Sequence, residues 1–268
     1  MPLPREVHDR FCARISGTEL SLPLLPEVAT QILALADRPD CNAGDLAELL
    51  RRDPALSAHV MRVAGSPLYA GATKVVSLQQ VIGRLGFATI TQIALVVATR
   101  MRVFEVGGFE DVVRATFRHS LATALFAQDI ARMRRSTVDV AFLAGLMHDL
   151  GRPLALQALV DSHRELAVPI ERASALAAAD EHHAQLAGAL IDHWGLPGRV
   201  AEAVRLHHTP LGHELATTVA LADRLAHGLD GEATRGEEYA AALNLYPEDI
   251  AVLVAKSETI AKTIEVIG

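Results

Sequence analysis

Apolar residues recur at spacings of three and four along almost the whole chain, and no stretch of useful length alternates apolar with polar. Three-and-four spacing lines apolar side chains along one face of a helix, whereas a half-buried strand needs a period of two. The fold class expected is therefore all-α. Half of the residues are hydrophobic but only 4% are aromatic. The helices should thus pack closely through Ala, Leu and Val rather than around large rings. At 268 residues the chain is long enough for one large core or two helical lobes.

Proline and glycine divide this pattern into segments. SLPLLPEVATQILALADRPD predicts a helix starting near Pro26, with Val28, Ile32, Leu35 and Ala36 on one face and Pro39 beyond its end. Asp53-Pro54 ends one helix and starts the next, with Leu46, Leu49 and Leu50 inward before it and Leu56, Val60 and Val63 after it. In SLQQVIGRLGFATITQIALVVATR, Gly83 and Gly86 either allow close backbone approach or split the run in two. Gly107-Gly108, where periodicity lapses, marks a hinge between an N-terminal lobe, 1–106, and a C-terminal lobe, 107–268. GLDGEATRGEE reads as a polar loop. A last helix should start at Pro247, carry Ile250, Leu253, Val254, Ile260 and Ile264, and pack on its own lobe or on a partner.

Lys and Arg total 25 against 32 Asp and Glu, a formal charge of −7, so neither nucleic acid nor an anionic membrane is an expected partner. The strongly apolar IALVVAT is too short to cross a bilayer, and MPLPREVHDR lacks the basic-then-apolar pattern of a signal peptide. A cytoplasmic location is the expectation. Cys12 and Cys41 lack C-x-x-C spacing and should stay reduced there.

The stretch GLMHDLGRP sets two strongly hydrated side chains, His148 and Asp149, straight after the apolar AFLAGLM. Other helices aim comparable groups along apolar stripes. His119 shares a face with Val112, Thr116, Thr123 and Phe126, and His183 with Ala187, Leu190, Ile191 and Trp194. His207 continues the stripe of Val200, Ala203 and Val204, and His208 lies one turn beyond Val204. Asp223, between Val219 and Ala226, needs a cation or donors if it is buried. Imidazole and carboxylate together suit Zn, Mn or Fe, so these seven residues form a candidate metal set. The residues alone equally allow a metal-free, hydrogen-bonded cluster that pins the helices together.

The order His119, His148-Asp149, Asp223 resembles the HD superfamily of metal-dependent phosphohydrolases, in which such residues hold a metal ion. LPLLPEVATQILAL, DLAELLRRDPALSAHVMRVAGSP and SLQQVIGRLG resemble the opening of the HDOD family, the HD-related output domain of bacterial signalling. HAQLAGALIDHWGLP and LHH match its second half, so the likeness runs over roughly residues 18–230. It implies a two-lobed helical module that contacts signalling proteins, in a family where most members have no established catalysis.

Similarity to the HD-GYP branch, which cleaves cyclic dinucleotides, implies one metal position at His119, His148, Asp149 and Asp223, and a second completed by His183, His207 and His208. It implies one or two divalent ions and a phosphate-bearing small ligand. Arg152 stands where that branch has Lys, and would grip a phosphate through its forked guanidinium. The chain departs from the branch in HHTPLGHE, which lacks the acidic residue and the Gly-Tyr-Pro loop, and at Ala115, where a further carboxylate can occur. Cyclic-dinucleotide cleavage is therefore not the activity expected. In the first lobe, Gly65 replaces the Asn of the family's common Asn-Ser pair.

Overall fold

A computed structural model of the chain describes residues 2–17, 20, 22–36, 38, 40–66, 77–102, 106–230 and 236–267. Pro39, Pro67, residues 103–105 before the Gly107-Gly108 pair, and 231–235 of the polar loop lie outside these. The chain opens with α1 (Arg5–Ser16), followed by α2 (Glu27–Ala36), α3 (Ala43–Arg51), α4 (Pro54–Ala64), α5 (Leu78–Leu85) and α6 (Phe87–Arg102). Next come α7 (Glu110–Arg134), α8 (Val138–Met147), α9 (Gly151–Leu166), α10 (Arg172–His193), α11 (Gly198–Leu206) and α12 (Glu214–His227). The last three are α13 (Glu237–Ala242), α14 (Pro247–Ala255) and α15 (Ser257–Ile267). No strand occurs among the described residues, so the fold is all-α. Contacts gather the helices into two units, each discontinuous in sequence: Met1–Pro23 with Phe104–Ala255, and Leu24–Val103 with Lys256–Gly268.

The smaller unit packs Ile32, Leu46, Leu50, Leu56, Val60, Val81, Ile90 and Ile93 into its core. Its helices start where their caps dictate. Asn42 and Asp45 form a reciprocal capping box on α3, and the Asp53 carboxylate accepts from the Ala55 and Leu56 amides ahead of α4, whose first residue is Pro54. The glycine alternatives resolve differently at the two positions. Gly83 meets nothing within 4 Å of where a Cβ would stand, whereas Gly86, at φ +84°, ends α5 and lets α6 leave at 115° to it. Ile93, Ala94, Leu95, Val96 and Val97 are buried, which accounts for the apolar run there. Among the described residues no single helix is long and apolar enough to cross a bilayer.

Two apolar faces differ from the expectation. On α2, Ile32 and Leu35 are buried as expected, but Ala29 is buried beside them where Val28 is only half-buried. The run from Pro247 is two helices broken at Lys256, with Leu253, Ile260 and Ile264 buried but Val254 exposed.

In the larger unit α7 packs against α8 and α12, and α10 against α9 and α11. Residues 141–147 of α8 are all buried, so that helix must be apolar on every side. Two glycines set its spacing. A Cβ on Gly145 would lie 2.8 Å from the Ala124 Cα, and one on Gly151 would lie 1.9 Å from the His183 carbonyl oxygen. These contacts seat the α8–α9 turn, which carries His148 and Asp149, directly against α7 and α10. The first helix covers α9, where Arg10 and Arg14 each come within 2.9 Å of Glu165 Oε2.

Candidate metal centre

Five segments of the larger unit bring polar groups to one place: the middle of α7 (His119), the α8–α9 turn (His148, Asp149), the middle of α10 (His183), the end of α11 (His207, His208) and the last turns of α12 (Asp223). His148, Asp149, His183 and His207 are buried, while His119 and Asp223 are partly covered and His208 is exposed. The structure therefore brings all seven expected residues together.

Their tips form a continuous ribbon. His208 Nε2 and His207 Nε2 lie 2.9 and 3.3 Å from His183 Nε2, which is 3.2 Å from Asp149 Oδ1. The same Asp149 oxygen is 3.6 Å from His148 Nε2, which is 3.7 Å from Asp223 Oδ1, and His119 Nε2 lies 2.8 Å from that Asp223 oxygen. Asp149 Oδ1 thus joins the two halves.

The backbone fixes which ring nitrogen is free to act. His148 Nδ1 donates to Gly145 O at 2.8 Å, His183 Nδ1 to Asp180 O at 2.7 Å, and His207 Nδ1 to Val204 O at 2.5 Å. A carbonyl oxygen only accepts, so each Nδ1 must carry hydrogen, and in the neutral ring Nε2 then presents a lone pair. A neutral His183 and His207 therefore aim two lone pairs at each other across 3.3 Å with no proton to share. His148 Nε2 is buried without a hydrogen-bond partner. Rings oriented by backbone acceptors, with Nε2 pointing inward, are what a ligating histidine needs.

Electrostatics point the same way. Burial, reinforced by His148 and His208, lowers the His207 pKa from 6.5 to about 3. Burial likewise lowers those of His183 and His208, so these three rings stay neutral. His148 differs: burial pushes it down, but Asp149 and Asp223 together outweigh that and raise it. Both carboxyls are held below their ordinary range. For Asp149, burial is overcome by His148, Arg152 and His183; for Asp223, by the hydrogen bond from His119 and the charge of the nearby His148 ring. The pair of carboxylates calls for positive charge at the His148 end, which a proton or an ion would supply.

The donor set fits a divalent ion. Ligands about 2.1 Å from a shared ion stand about 3.0–3.5 Å from one another. The separations of 2.8–3.7 Å along the ribbon cluster around that interval. Groups able to hold a metal ion are His183, His207 and His208; His119, His148 and Asp149; and His119, Asp223 and His227.

Arg152 stands beside the ribbon, Nε 3.3 Å from Asp149 Oδ2 and one terminal nitrogen 3.3 Å from Asp180 Oδ1. Two nearby residues escaped the sequence reading. Asp180 sits on the solvent side of α10 and reveals its role only through Arg152. His227 follows Asp223 by four residues on α12, a spacing that puts both on one helix face and could have drawn attention to it.

The model of the HDOD domain family matches residues 22–210. An uncharacterized protein of Treponema pallidum (strain Nichols) is 24% identical over 251 residues, covering 87% of this chain and 48% of its own. The chain thus spans about half the length of that curated relative. Among solved structures, a protein of Marinobacter aquaeolei VT8, provisionally named for signal transduction, has a TM-score of 0.70 at 23% identity, over 97% of this chain and 65% of its own. A protein of Shewanella amazonensis SB2B, provisionally named a metal-dependent phosphohydrolase, has a TM-score of 0.71 at 22% identity, over 97% of this chain and 100% of its own. At such identities the two structures share the fold with this chain.

Proposed function

Because the chain belongs to the HDOD family, we propose that it is a signal-transduction module of a bacterial cytoplasm whose larger unit holds one or two divalent ions, Fe, Mn or Zn, and contacts signalling proteins. One observation carries the metal: the Nε2 lone pairs of His183 and His207, fixed by backbone acceptors, converge within 3.3 Å of each other beside Asp149 Oδ1. His119, His148, Asp149 and Asp223 would hold one ion, and His183, His207 and His208, with Asp149 between the halves, a second. A bound ion would stabilise the closed arrangement of five segments, since those segments supply its ligands jointly. That is the property a regulatory module needs.

A second reading, phosphoester hydrolysis, is favoured by Arg152. Its guanidinium lies against the Asp149 carboxylate and is partly exposed, so it can reach a phosphate brought to the ribbon. A divalent ion in such a site supplies Lewis acidity and a water of lowered pKa. For their part, Asp149 and Asp223 would remain ionised, the backbone carbonyls would hold the rings in register, and Arg152 would offset charge on the phosphate.

Metal content of protein purified without added metal, set against His148→Ala and Asp149→Ala, tests the first reading. We expect stoichiometric metal in the wild type and a loss in both variants; negligible metal in all three would end it. Phosphomonoesters, nucleotides and cyclic dinucleotides with Mn or Mg test the second. Turnover that needs metal and disappears in Asp149→Asn would replace a purely regulatory role with an enzymatic one.

A further inference from the structure

We infer that His227 is an additional protein ligand of the ion position that contains His119 and Asp223, so that this position takes a divalent transition metal through imidazoles on two helices. The inference rests on the metal-binding reading above and deepens it. Three observations meet at this residue. His227 Nε2 lies 3.5 Å from Asp223 Oδ1, the oxygen that His119 Nε2 approaches at 2.8 Å, and ligand atoms of all three residues fall within 4.8 Å of one another. The His227 and His119 ring centroids are 4.4 Å apart at a 43° tilt, an arrangement that leaves each ring edge able to face a common point.

The helix fixes the placement. Asp223 and His227 are one turn apart on α12, the i, i+4 relation by which a single helix delivers two ligands to one ion. His227 is the last residue of that helix, where the unsatisfied carbonyls favour a positive charge. Its side chain, 36% exposed, approaches from the solvent side, whereas His148, 1% exposed, approaches from the core. Both Nε2 atoms lie within 3.7 Å of Asp223 Oδ1.

The competing account is an ion pair between a protonated His227 and Asp223, and Co(II) distinguishes the two. Titration of the full chain with Co(II), followed by visible absorption and by calorimetry, would compare wild type with His227→Ala and His227→Gln. Gln keeps the size and can still donate a hydrogen bond to Asp223, but its amide is a poor ligand. We expect both variants to fold as the wild type by circular dichroism, to lose about tenfold or more in affinity at one binding step, and to show altered ligand-field bands. That scale is set by outer-sphere partners of metal ligands, whose loss already costs about 10–100-fold. His208→Ala should instead disturb the step that His227→Ala leaves intact. Wild-type binding with an unchanged isotherm and spectrum in His227→Ala, or full recovery in His227→Gln, would overturn the inference while sparing the proposed metal site. No Co(II) binding by the wild type would overturn both.

Discussion

The backbone of Gly151 lies so close to His183 that a Cβ at Gly151 would fall 1.9 Å from the His183 carbonyl oxygen. The glycine that follows the His-Asp pair thereby locks α9 against α10 and holds His183 Nε2 within 3.2 Å of Asp149 Oδ1. Gly151→Ala must push those helices apart. We expect a loss of about 1–3 kcal/mol in urea unfolding, as for other overpacked interiors, together with weaker metal binding by isothermal titration. A variant as stable as the wild type with unaltered metal affinity would contradict the close approach.

Asp149 offers one oxygen to both halves of the ribbon, so its charge should matter to every ion bound there. Asp149→Asn preserves shape and removes the charge. Metal content should drop below that of His208→Ala, which strikes one half, and chelator should lower the melting temperature of the wild type but hardly that of Asp149→Asn. Equal metal content in the two variants would count against a shared oxygen.

His207 gives stability a pH dependence whose sign is fixed. Its folded pKa, about 3, lies below the ordinary 6.5, so between those values the unfolded chain binds more protons and stability falls as pH falls. Above pH 6.5 the residue is neutral in both states and imposes no penalty. At pH 5 the penalty is on the order of 2 kcal/mol. His148, raised by its carboxylates, acts in the opposite direction, so the comparison is between wild type and His207→Gln in the presence of chelator. From pH 7.5 to 5 the wild type should lose more stability than His207→Gln; parallel curves would refute the assignment.

Gly83 and Gly86 should answer to alanine with opposite signs. Nothing crowds Gly83 in α5, so Gly83→Ala should stabilise by about 0.5–1 kcal/mol through reduced freedom of the unfolded chain. Gly86 sits at φ +84° and ψ 158°, where an L side chain is strained, so Gly86→Ala should destabilise by about 1–3 kcal/mol. Thermal melts of the two variants check both at once.

Arg152 is paired with Asp149 and Asp180 in the molecule as it stands. If it also serves an incoming phosphate, Arg152→Ala should abolish the binding of inorganic phosphate to Mn-loaded protein, and Arg152→Lys should restore only part of it, because the forked geometry is lost. Phosphate binding indifferent to Arg152→Ala would assign the guanidinium to its two carboxylates alone.

The helices and the inward histidines were legible because both follow from periodicity along one segment. His119, His183 and His207 could be placed on apolar faces before any partner was known, and Asp223 stood out as a charge among small apolar residues. What periodicity misses is the neighbour. Asp180 is an ordinary exposed carboxylate until Arg152 folds against it, and His227 interrupts no apolar stripe, since it is partly exposed at a helix end. The break at Lys256 was equally hidden, because an apolar run continuing at helical spacing across one bent residue has the same pattern as an unbroken helix. That Gly145 and Gly151 are needed for contact, and not for turns, depends on backbones more than twenty residues away in sequence.

The pairing of α1 with α9 also sets a timetable for synthesis. At translation rates of about 5–20 residues per second, the opening helix leaves the ribosome roughly 7–30 s before the surface it must cover has been made. The smaller unit waits on α15 in the same way, because α15 follows α6 only after all the helices from α7 to α14. Each unit is thus completed by a segment made long after its first helix, and Phe11 of α1, fully buried in the folded protein, stays uncovered until α9 has been synthesised.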